Sequence, residues 1–137
     1  MMKLEKCINE YWEFVRKLRL DERVKVGFLD NSYISEQQQI DYMKKYWNQY
    51  YIVLYNNKPA GYVGVVNNDI RICTHPDFQG KGVGKFMLNE INKIYPNALA
   101  KVKMKNNASN RLFLSTGFQI FDNDDEFNYF KKNQTND

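Results

Sequence analysis

A glycine-rich turn between a strand-like and a helix-like stretch constrains the fold of this chain most. Gly80, Gly82 and Gly84 fall within five residues, after an alternating stretch at 69–75 and before an amphipathic stretch at 82–94. Without Cβ atoms the backbone turns tightly and presents N–H groups at a helix N-terminus, where the helix dipole favours an anion. The turn therefore predicts a phosphate site, and a tight connection without a ligand is the alternative.

Two well-known phosphate loops do not match this turn. In a Walker A loop a Ser or Thr follows the Gly-Lys pair and binds magnesium, but here Phe86 follows Gly84 and Lys85. A dinucleotide-binding fingerprint needs another glycine three residues after its second one, which the spacing of Gly80, Gly82 and Gly84 lacks. Both of these nucleotide-binding readings are therefore excluded.

The periodicity of the apolar residues predicts a mixed order of helices and strands. Helices are predicted at 10–20 with Asn9 as N-cap, at 35–48 with a Ser35/Gln38 capping box, at 82–94, and at about 108–116. Strands are predicted at 51–55, 60–66, 69–75, 98–104, 118–121 and 126–131. The first three strands are joined by short turns and imply an antiparallel meander. The helix between the third and fourth strands implies that these two run parallel.

Length and composition predict one globular domain. With 137 residues, 43% of them hydrophobic, the chain can build one packed core, whereas two cores would each be too small. We expect a single domain at 1–130 and a polar tail or the start of a linker at 131–137. The sequence shows neither a signal-peptide core nor an apolar run of about 18 residues. Cys7 and Cys73 fit neither a disulfide framework nor a zinc site, so we expect a cytoplasmic protein without a metal.

The charge balance is mildly basic, with 20 Lys and Arg residues against 16 Asp and Glu residues and a net charge of +4. Such a bias attracts nucleic acid, acidic lipid or a phosphorylated small molecule. The lysines are scattered and no recognised nucleic-acid motif occurs, so neither nucleic acid nor membrane is the expected partner.

Two motifs in order resemble the GNAT-type N-acyltransferase superfamily. The pattern Gln79-x-x-Gly82-x-Gly84 resembles its acetyl-coenzyme A (acetyl-CoA) signature, and Asn106 followed by Leu-Phe-Leu-Ser-Thr-Gly-Phe at 112–118 resembles its later motif. The resemblance covers about residues 50–121. It implies an acetyl-CoA-dependent N-acetyltransferase that needs no metal. It also implies an α+β fold of three layers, in which a mixed, mostly antiparallel twisted sheet with splayed central strands is flanked by helices.

The resemblance also implies where acetyl-CoA binds. Its pantetheine arm would enter the gap between the splayed strands and pair with backbone groups of Cys73, Thr74 and His75, and one of their N–H groups would hold the thioester oxygen. The other expected contacts are Gln79, Gly80, Lys81, Gly82, Val83, Gly84, Lys85, Asn106 and Phe113. For Lys81 and Lys85, a solvated lysine on an exposed turn is the alternative.

The usual catalytic groups of the family are missing. Phe113 stands where the family often has a Tyr as general acid, and the fourth strand carries lysines where a Glu base is expected. We expect Asp69 to act as base, directly or through water; the alternative is that it caps a turn or pairs with Arg71. His75, the only imidazole, is the second catalytic candidate, and bracing of the glycine turn is its alternative.

The expected acceptor is a small molecule with a primary amine. Residues 15–21 and 34–38 are similar to the opening of acetyltransferases that modify nucleotide-linked amino sugars, and of ribosomal-protein acetyltransferases. Arg19, Tyr33 and Arg71 would suit a sugar carrying phosphates. The alternatives are a protein or another small amine as acceptor, or a non-catalytic acyl-CoA-binding module. Many relatives are homodimers, and the sequence leaves the oligomeric state open.

Overall fold

The computed structural model describes residues 1–25, 27–28 and 32–133, which fold into two β-sheets with helices packed on both faces. The strands are β1 (Met2–Lys6), β2 (Tyr50–Tyr55), β3 (Lys58–Val66), β4 (Asp69–Thr74), β5 (Ala100–Lys103), β6 (Phe118–Asn123) and β7 (Phe127–Lys132). The helices are α1 (Trp12–Leu20), α2 (Glu22–Lys25), α3 (Glu36–Tyr46), α4 (Val83–Ile94) and α5 (Asn107–Ser115). None of these described helices is long and apolar enough to cross a membrane.

The first sheet is an antiparallel meander in the order β1-β2-β3-β4. Its inner connections are two Asn-Asn pairs, at 56–57 and 67–68, and all four residues have φ between 48° and 68°. Two-residue hairpin turns with positive φ match the twist of the strands, and Asn tolerates this conformation. The predicted meander of β2, β3 and β4 is therefore confirmed.

The strand β1 was not predicted from the sequence. It pairs with β2 along its whole length, from Met2 opposite Tyr55 to Lys6 opposite Tyr51. It is an edge strand, which leaves the charges of Lys3 and Lys6 in solvent. Its formation depends on a partner more than forty residues away, and the local pattern does not reveal that partner.

The two sheets meet only where β4 and β5 begin, as far as the described residues show. The Ile70 N–H donates to the Leu99 carbonyl at 2.8 Å, and the Leu99 N–H donates to the Asn68 carbonyl at 2.9 Å. This parallel contact does not continue: β4 and β5 are the facing edge strands of two separate sheets, the second of order β5-β7-β6. The parallel, splayed central strands are therefore confirmed, and Thr74 and Lys103 at their other ends line a groove.

Each face of the sheets carries its own core. On one face α4 and α5 bury Val83, Met87, Leu88, Ile91 and Phe113 against Val53, Val63, Val65 and Phe130. On the other face α1 and α3 bury Val15, Leu18 and Met43 against Tyr50, Ile52 and Tyr62. The spacing within α4 follows the helical period, which confirms the amphipathic helix predicted there.

The N-terminal helices differ in detail from the prediction. Asn9 caps no α-helix, because it begins a 3-10 turn (Asn9–Tyr11) and α1 starts at Trp12. The short α2 was not predicted. At α3 the capping box is confirmed: the Gln38 N–H donates to Ser35 Oγ at 3.1 Å, and the Ser35 N–H donates to Gln38 Oε1 at 2.8 Å.

The folded domain extends past the predicted boundary at residue 130. Lys131 and Lys132 belong to β7, and the Lys132 ammonium donates to the Thr116 carbonyl at 2.6 Å. The Asn133 N–H donates to the Gly117 carbonyl at 2.8 Å. These two lysines are part of the sheet rather than of a tail, and the rest of the expected tail, 134–137, lies outside the described residues.

Candidate active site

The gap between β4 and β5 opens into a groove of about 970 Å³. One wall is the end of β4 with the glycine turn, and the other is the connection from β5 to α5. We call it the glycine-turn groove. Among the residues expected to bind acetyl-CoA, it is lined by Cys73, Thr74, Gln79, Gly80, Gly82, Val83, Gly84, Lys85 and Asn106.

The glycine turn is built to approach an anion closely. Gly80 and Gly82 have φ of 78° and 80°, and a Cβ on either would meet no atom within 4 Å, so the space above both is open. Gly82 is the N-cap of α4 and offers no side-chain cap. The first N–H groups of α4 therefore point into the groove with the positive end of the helix dipole. Lys85 adds a cation to the same wall, and this set of groups fits a pyrophosphate.

Lys81 does not share this position. Its ammonium lies 5.9 Å from the centre of the Tyr55 ring, and its side chain does not line the groove formed by the described residues. This geometry favours Lys85 over Lys81 as a side-chain contact of the coenzyme phosphates, and both contacts stay predictions.

The register of β4 decides which backbone groups face the gap. The His75 N–H donates to the Ala60 carbonyl at 2.8 Å, and Ile70 faces β5 through its bond to Leu99. Facing directions alternate along an antiparallel ladder, so His75 and Cys73 bond to β3, and Ile72 and Thr74 turn toward the gap. The expected pairing of pantetheine with the backbone of Cys73 and His75 is therefore wrong, and Ile72 was missed.

A second cavity of about 460 Å³ continues from the groove toward α1 and α3. We call it the inner cavity. Its charged side chains among the described residues are the guanidinium groups of Arg19 and Arg71 and one carboxylate, Asp69. Lys101 also lines it, but the Lys101 ammonium lies 4.2 Å from the centre of the Phe127 ring on β7. The predicted contacts Arg19 and Arg71 are thus brought together. Tyr33 does not join them: it is 72% exposed and is not among the described residues that line the inner cavity. The inner cavity is predominantly cationic.

Asp69 and Arg71 form an ion pair within the inner cavity. The Arg71 Nε donates to Asp69 Oδ2 at 3.2 Å. Burial raises the pKa of Asp69 above its ordinary value, and the charge of Arg71 offsets part of this effect. A carboxylate with a raised pKa is a stronger base than a solvated one. The ion pair with Arg71, which was the alternative role for Asp69, is therefore present. The Asp69 carboxylate nevertheless lines the inner cavity.

Tyr50 lies beside Arg71 because β3 has a glycine between them. Tyr50 on β2 pairs with Gly64 on β3, and Gly64 pairs with Arg71 on β4, so the three positions form one row across the sheet. The Tyr50 hydroxyl bonds the Tyr42 hydroxyl at 2.7 Å, and burial raises the pKa of Tyr50. Sequence reasoning missed the pair of Tyr42 and Tyr50; the glycine within the strand predicted at 60–66 was the available signal.

The comparisons with known proteins agree with this architecture. Residues 47–120, more than half of the chain, match the family model of the acetyltransferase (GNAT) domain. The chain belongs to the GNAT acetyltransferase family. No curated protein sequence matches this GNAT domain.

Solved structures resemble the GNAT domain over nearly its whole length. A spermidine N-acetyltransferase from Vibrio cholerae, in complex with CoA and spermine, has a TM-score of 0.81 at 16% identity and covers 94% of this chain and 93% of its own. Campylobacter jejuni N-acetyltransferase PseH, in complex with acetyl-CoA, has a TM-score of 0.71 at 20% identity, and the match covers 98% of this chain and 100% of PseH. A domain from Methanocaldococcus jannaschii has a TM-score of 0.82 at 19% identity and covers 95% and 97%. At these identities the likeness establishes the fold.

His75 is placed to support the glycine turn of the GNAT domain. Its Nδ1 accepts from the Asp77 N–H at 3.1 Å and caps the 3-10 turn Pro76–Phe78. Its ring centroid lies 6.2 Å from that of Phe14 and 6.1 Å from that of Phe78. The linings of the groove and of the inner cavity, as the described residues form them, do not include His75. These contacts favour the bracing role that was the alternative for His75, and its catalytic role stays a prediction.

Phe113 is a core residue at the inner cavity rather than a contact of the glycine-turn groove. It is 2% exposed, and its ring centroid lies 5.1 Å from that of Phe118 and 5.3 Å from that of Phe130. It lines the inner cavity but not the groove formed by the described residues, and its expected contact with the coenzyme stays a prediction. Asn106 lines both and caps α5, because its Oδ1 accepts from the Ser109 N–H at 3.1 Å.

Among the described residues, no cluster of three or more His, Cys, Asp or Glu side chains could hold a metal. The chemistry that the site offers comes from a carboxylate, two arginines, a lysine, buried phenols and the hydroxyl of Ser109.

Proposed function

We propose that this domain transfers the acetyl group of acetyl-CoA to the primary amine of an anionic small molecule, in the first place an amino sugar linked to a nucleotide. The observation that carries the proposal is the charge of the inner cavity, where the guanidinium groups of Arg19 and Arg71 are opposed by Asp69 alone among the described residues. Guanidinium groups bind phosphate with two parallel hydrogen bonds. A polyamine acceptor would meet repulsion from the same groups.

The residues of the groove would hold acetyl-CoA in three places. The glycine turn and Lys85 would bind its pyrophosphate, and the backbone groups of Ile72 and Thr74 that face the gap would pair with the pantetheine amides. One of these N–H groups would stabilise the thioester oxygen while negative charge develops on it. The thioester would then lie where the groove meets the inner cavity.

The amine would attack the thioester directly. Asp69, with its raised pKa, would take the proton that the ammonium group loses, directly or through water. A covalent intermediate on Cys73 is disfavoured, because burial raises the pKa of that thiol to about 12 and keeps it protonated. The bond from nitrogen to carbon would form while the bond from carbon to sulfur breaks, and free CoA would leave.

A panel of amines tests this proposal. The purified protein is incubated with acetyl-CoA and UDP-glucosamine, glucosamine 6-phosphate, glucosamine or spermidine, and free thiol is measured. The expected order of kcat/KM follows the negative charge of the acceptor, with UDP-glucosamine first and spermidine last. Preference for spermidine would refute the anionic acceptor. Binding of acetyl-CoA without thiol release for any amine would favour the non-catalytic module.

A further inference from the structure

The glycine-turn groove and the inner cavity share a short stretch of wall. Five of the described residues line both of them: Gly27, Phe28, Ile72, Asn106 and Ser109. If acetyl-CoA enters through the groove and the amine through the inner cavity, the reacting atoms meet at this shared wall, because they must approach to about 3–3.5 Å. In that arrangement a side chain at the shared wall would lie next to the breaking bond.

Ser109 is the only one of these five described residues with a hydroxyl group. It lies in the first turn of α5, and its N–H is held by Asn106 Oδ1 at 3.1 Å. Ser109 precedes Phe113 by four residues, so both lie on the same face of α5, which places Ser109 one turn closer to the groove. Phe113 has no proton to give at that face, and Ser109 has one.

The other hydroxyls and thiols near the site lie away from the shared wall. Tyr42, Tyr50 and Tyr62 line only the inner cavity, and the hydroxyls of Tyr42 and Tyr50 bond each other at 2.7 Å. Thr74 Oγ1 lies 3.5 Å from the position that a Cβ on Gly84 would take, so its side chain faces α4 rather than the inner cavity. Cys73 lines only the groove.

We propose that the Ser109 hydroxyl is the proton donor to the departing sulfur, a role that rests on the proposed function. When the bond from carbon to sulfur breaks, Ser109 Oγ gives its proton to sulfur and takes one of the two protons on the attacking nitrogen, and the other proton stays on the amide. The hydroxyl ends neutral, the products are the amide and the free thiol, and no other reactant is consumed. The path is short because nitrogen and sulfur are bonded to the same carbon before the bond breaks.

The test is Ser109→Ala, compared with Ser109→Thr and with Ser115→Ala. Ser115 is an exposed serine on the same helix whose hydroxyl donates to the Leu112 carbonyl at 2.9 Å, so it controls for the change of serine to alanine in α5. Steady-state rates are measured with acetyl-CoA and UDP-glucosamine, and acetyl-CoA affinity is measured by calorimetry. The melting temperature of each variant is recorded.

We expect Ser109→Ala to lower kcat by about 100-fold, as is typical when a general acid is removed. The Kd for acetyl-CoA and the melting temperature should stay close to those of the wild type. Ser109→Thr, which keeps the hydroxyl, should retain at least about a tenth of the activity, and Ser115→Ala should be unchanged.

Two results would overturn the role of Ser109 while leaving the proposed function intact: a wild-type kcat in Ser109→Ala, or a Ser109→Thr enzyme as slow as Ser109→Ala. The failure of the proposed function has a different signature. In that case the wild-type protein itself releases no thiol with UDP-glucosamine or with any other amine of the panel, before any variant is compared.

Discussion

The ring of Tyr50 occupies the space that a side chain on Gly64 would need. A Cβ at Gly64 would stand 2.6 Å from Tyr50 Cδ1 and 2.9 Å from the Gln49 carbonyl oxygen. Both residues are opposite each other in the β2–β3 ladder, and Arg71 is the next neighbour in the row. Gly64 therefore lets the buried Tyr50 ring extend across β3 toward Arg71, whose guanidinium group we propose as a contact of the acceptor.

Gly64→Ala should disturb the inner cavity and leave the groove intact. The added methyl group collides with the Tyr50 ring and with backbone, and overpacking of this kind costs about 1–3 kcal/mol of unfolding free energy. We expect a higher KM for the acceptor and an unchanged Kd for acetyl-CoA, measured by steady-state kinetics and by calorimetry. Equal weakening of both ligands would mean that the two cavities are not independent.

Asp69→Asn should lower kcat steeply and leave the affinity for acetyl-CoA nearly unchanged, because the carboxylate is the proposed base. Burial raises the pKa of Asp69. When the pH is lowered, the wild-type kcat should therefore begin to fall at a higher pH than it would with a solvent-exposed aspartate as base. A pH profile of kcat measures this limb. An Asn variant with the wild-type rate would remove Asp69 from the mechanism.

The same shift gives a stability prediction of defined sign. Because the pKa of Asp69 is higher in the folded state, the folded chain binds more protons between the ordinary and the raised value. Titration of Asp69 therefore lowers the free energy of unfolding as pH rises through that window. Asp69→Asn should remove this part of the pH dependence of the free energy of unfolding. Urea unfolding at several pH values measures it, and a steeper dependence in the variant would contradict the assignment.

Arg19 and Arg71 should distinguish acceptors by charge. With UDP-glucosamine, replacing either Arg by Gln should raise KM by about tenfold or more, since a hydrogen bond to a charged group contributes about 1.5–3 kcal/mol. With acceptors that carry no phosphate the change in KM should be small. If the loss is equal for glucosamine and UDP-glucosamine, these arginines stabilise the cavity rather than bind phosphate.

Lys85 and Lys81 provide a matched pair on the glycine turn. Lys85 lines the groove, whereas the Lys81 ammonium lies over the Tyr55 ring. Lys85→Ala should weaken acetyl-CoA binding and reduce its dependence on salt, and Lys81→Ala should leave both nearly unchanged. Calorimetric titrations at two salt concentrations separate them, and equal effects would contradict the geometry.

Much of the fold could be predicted because its signals are local. The Asn-Asn turns, the Ser35/Gln38 box and the period of α4 each act within a few residues. The sequence could also have predicted which backbone groups of β4 face the gap. A two-residue turn at 67–68 makes Val66 and Asp69 a pair, which directs every second residue from Asp69 to β3 and leaves Ile72 and Thr74 for the gap.

The parts that were missed depend on contacts between distant residues. The strand β1 needs β2 as a partner, and the position of Tyr50 depends on a glycine in a neighbouring strand. His75 shows a different limit: its sequence position suits catalysis, but its Nδ1 accepts a hydrogen bond from an N–H two residues on, which only the backbone geometry reveals. Residue type and order alone do not distinguish these roles.

The central claim is that acetyl-CoA binds on the glycine turn, and calorimetric titration tests it most directly. Wild-type protein is compared with Gly82→Glu, which adds a carboxylate where the pyrophosphate would lie, and with Gly82→Asn, a residue that tolerates the positive φ of 80°. We expect tight binding by the wild type, no binding by Gly82→Glu, and weakened but measurable binding by Gly82→Asn. Absence of binding by the wild type, or equal binding by Gly82→Glu, would contradict the account.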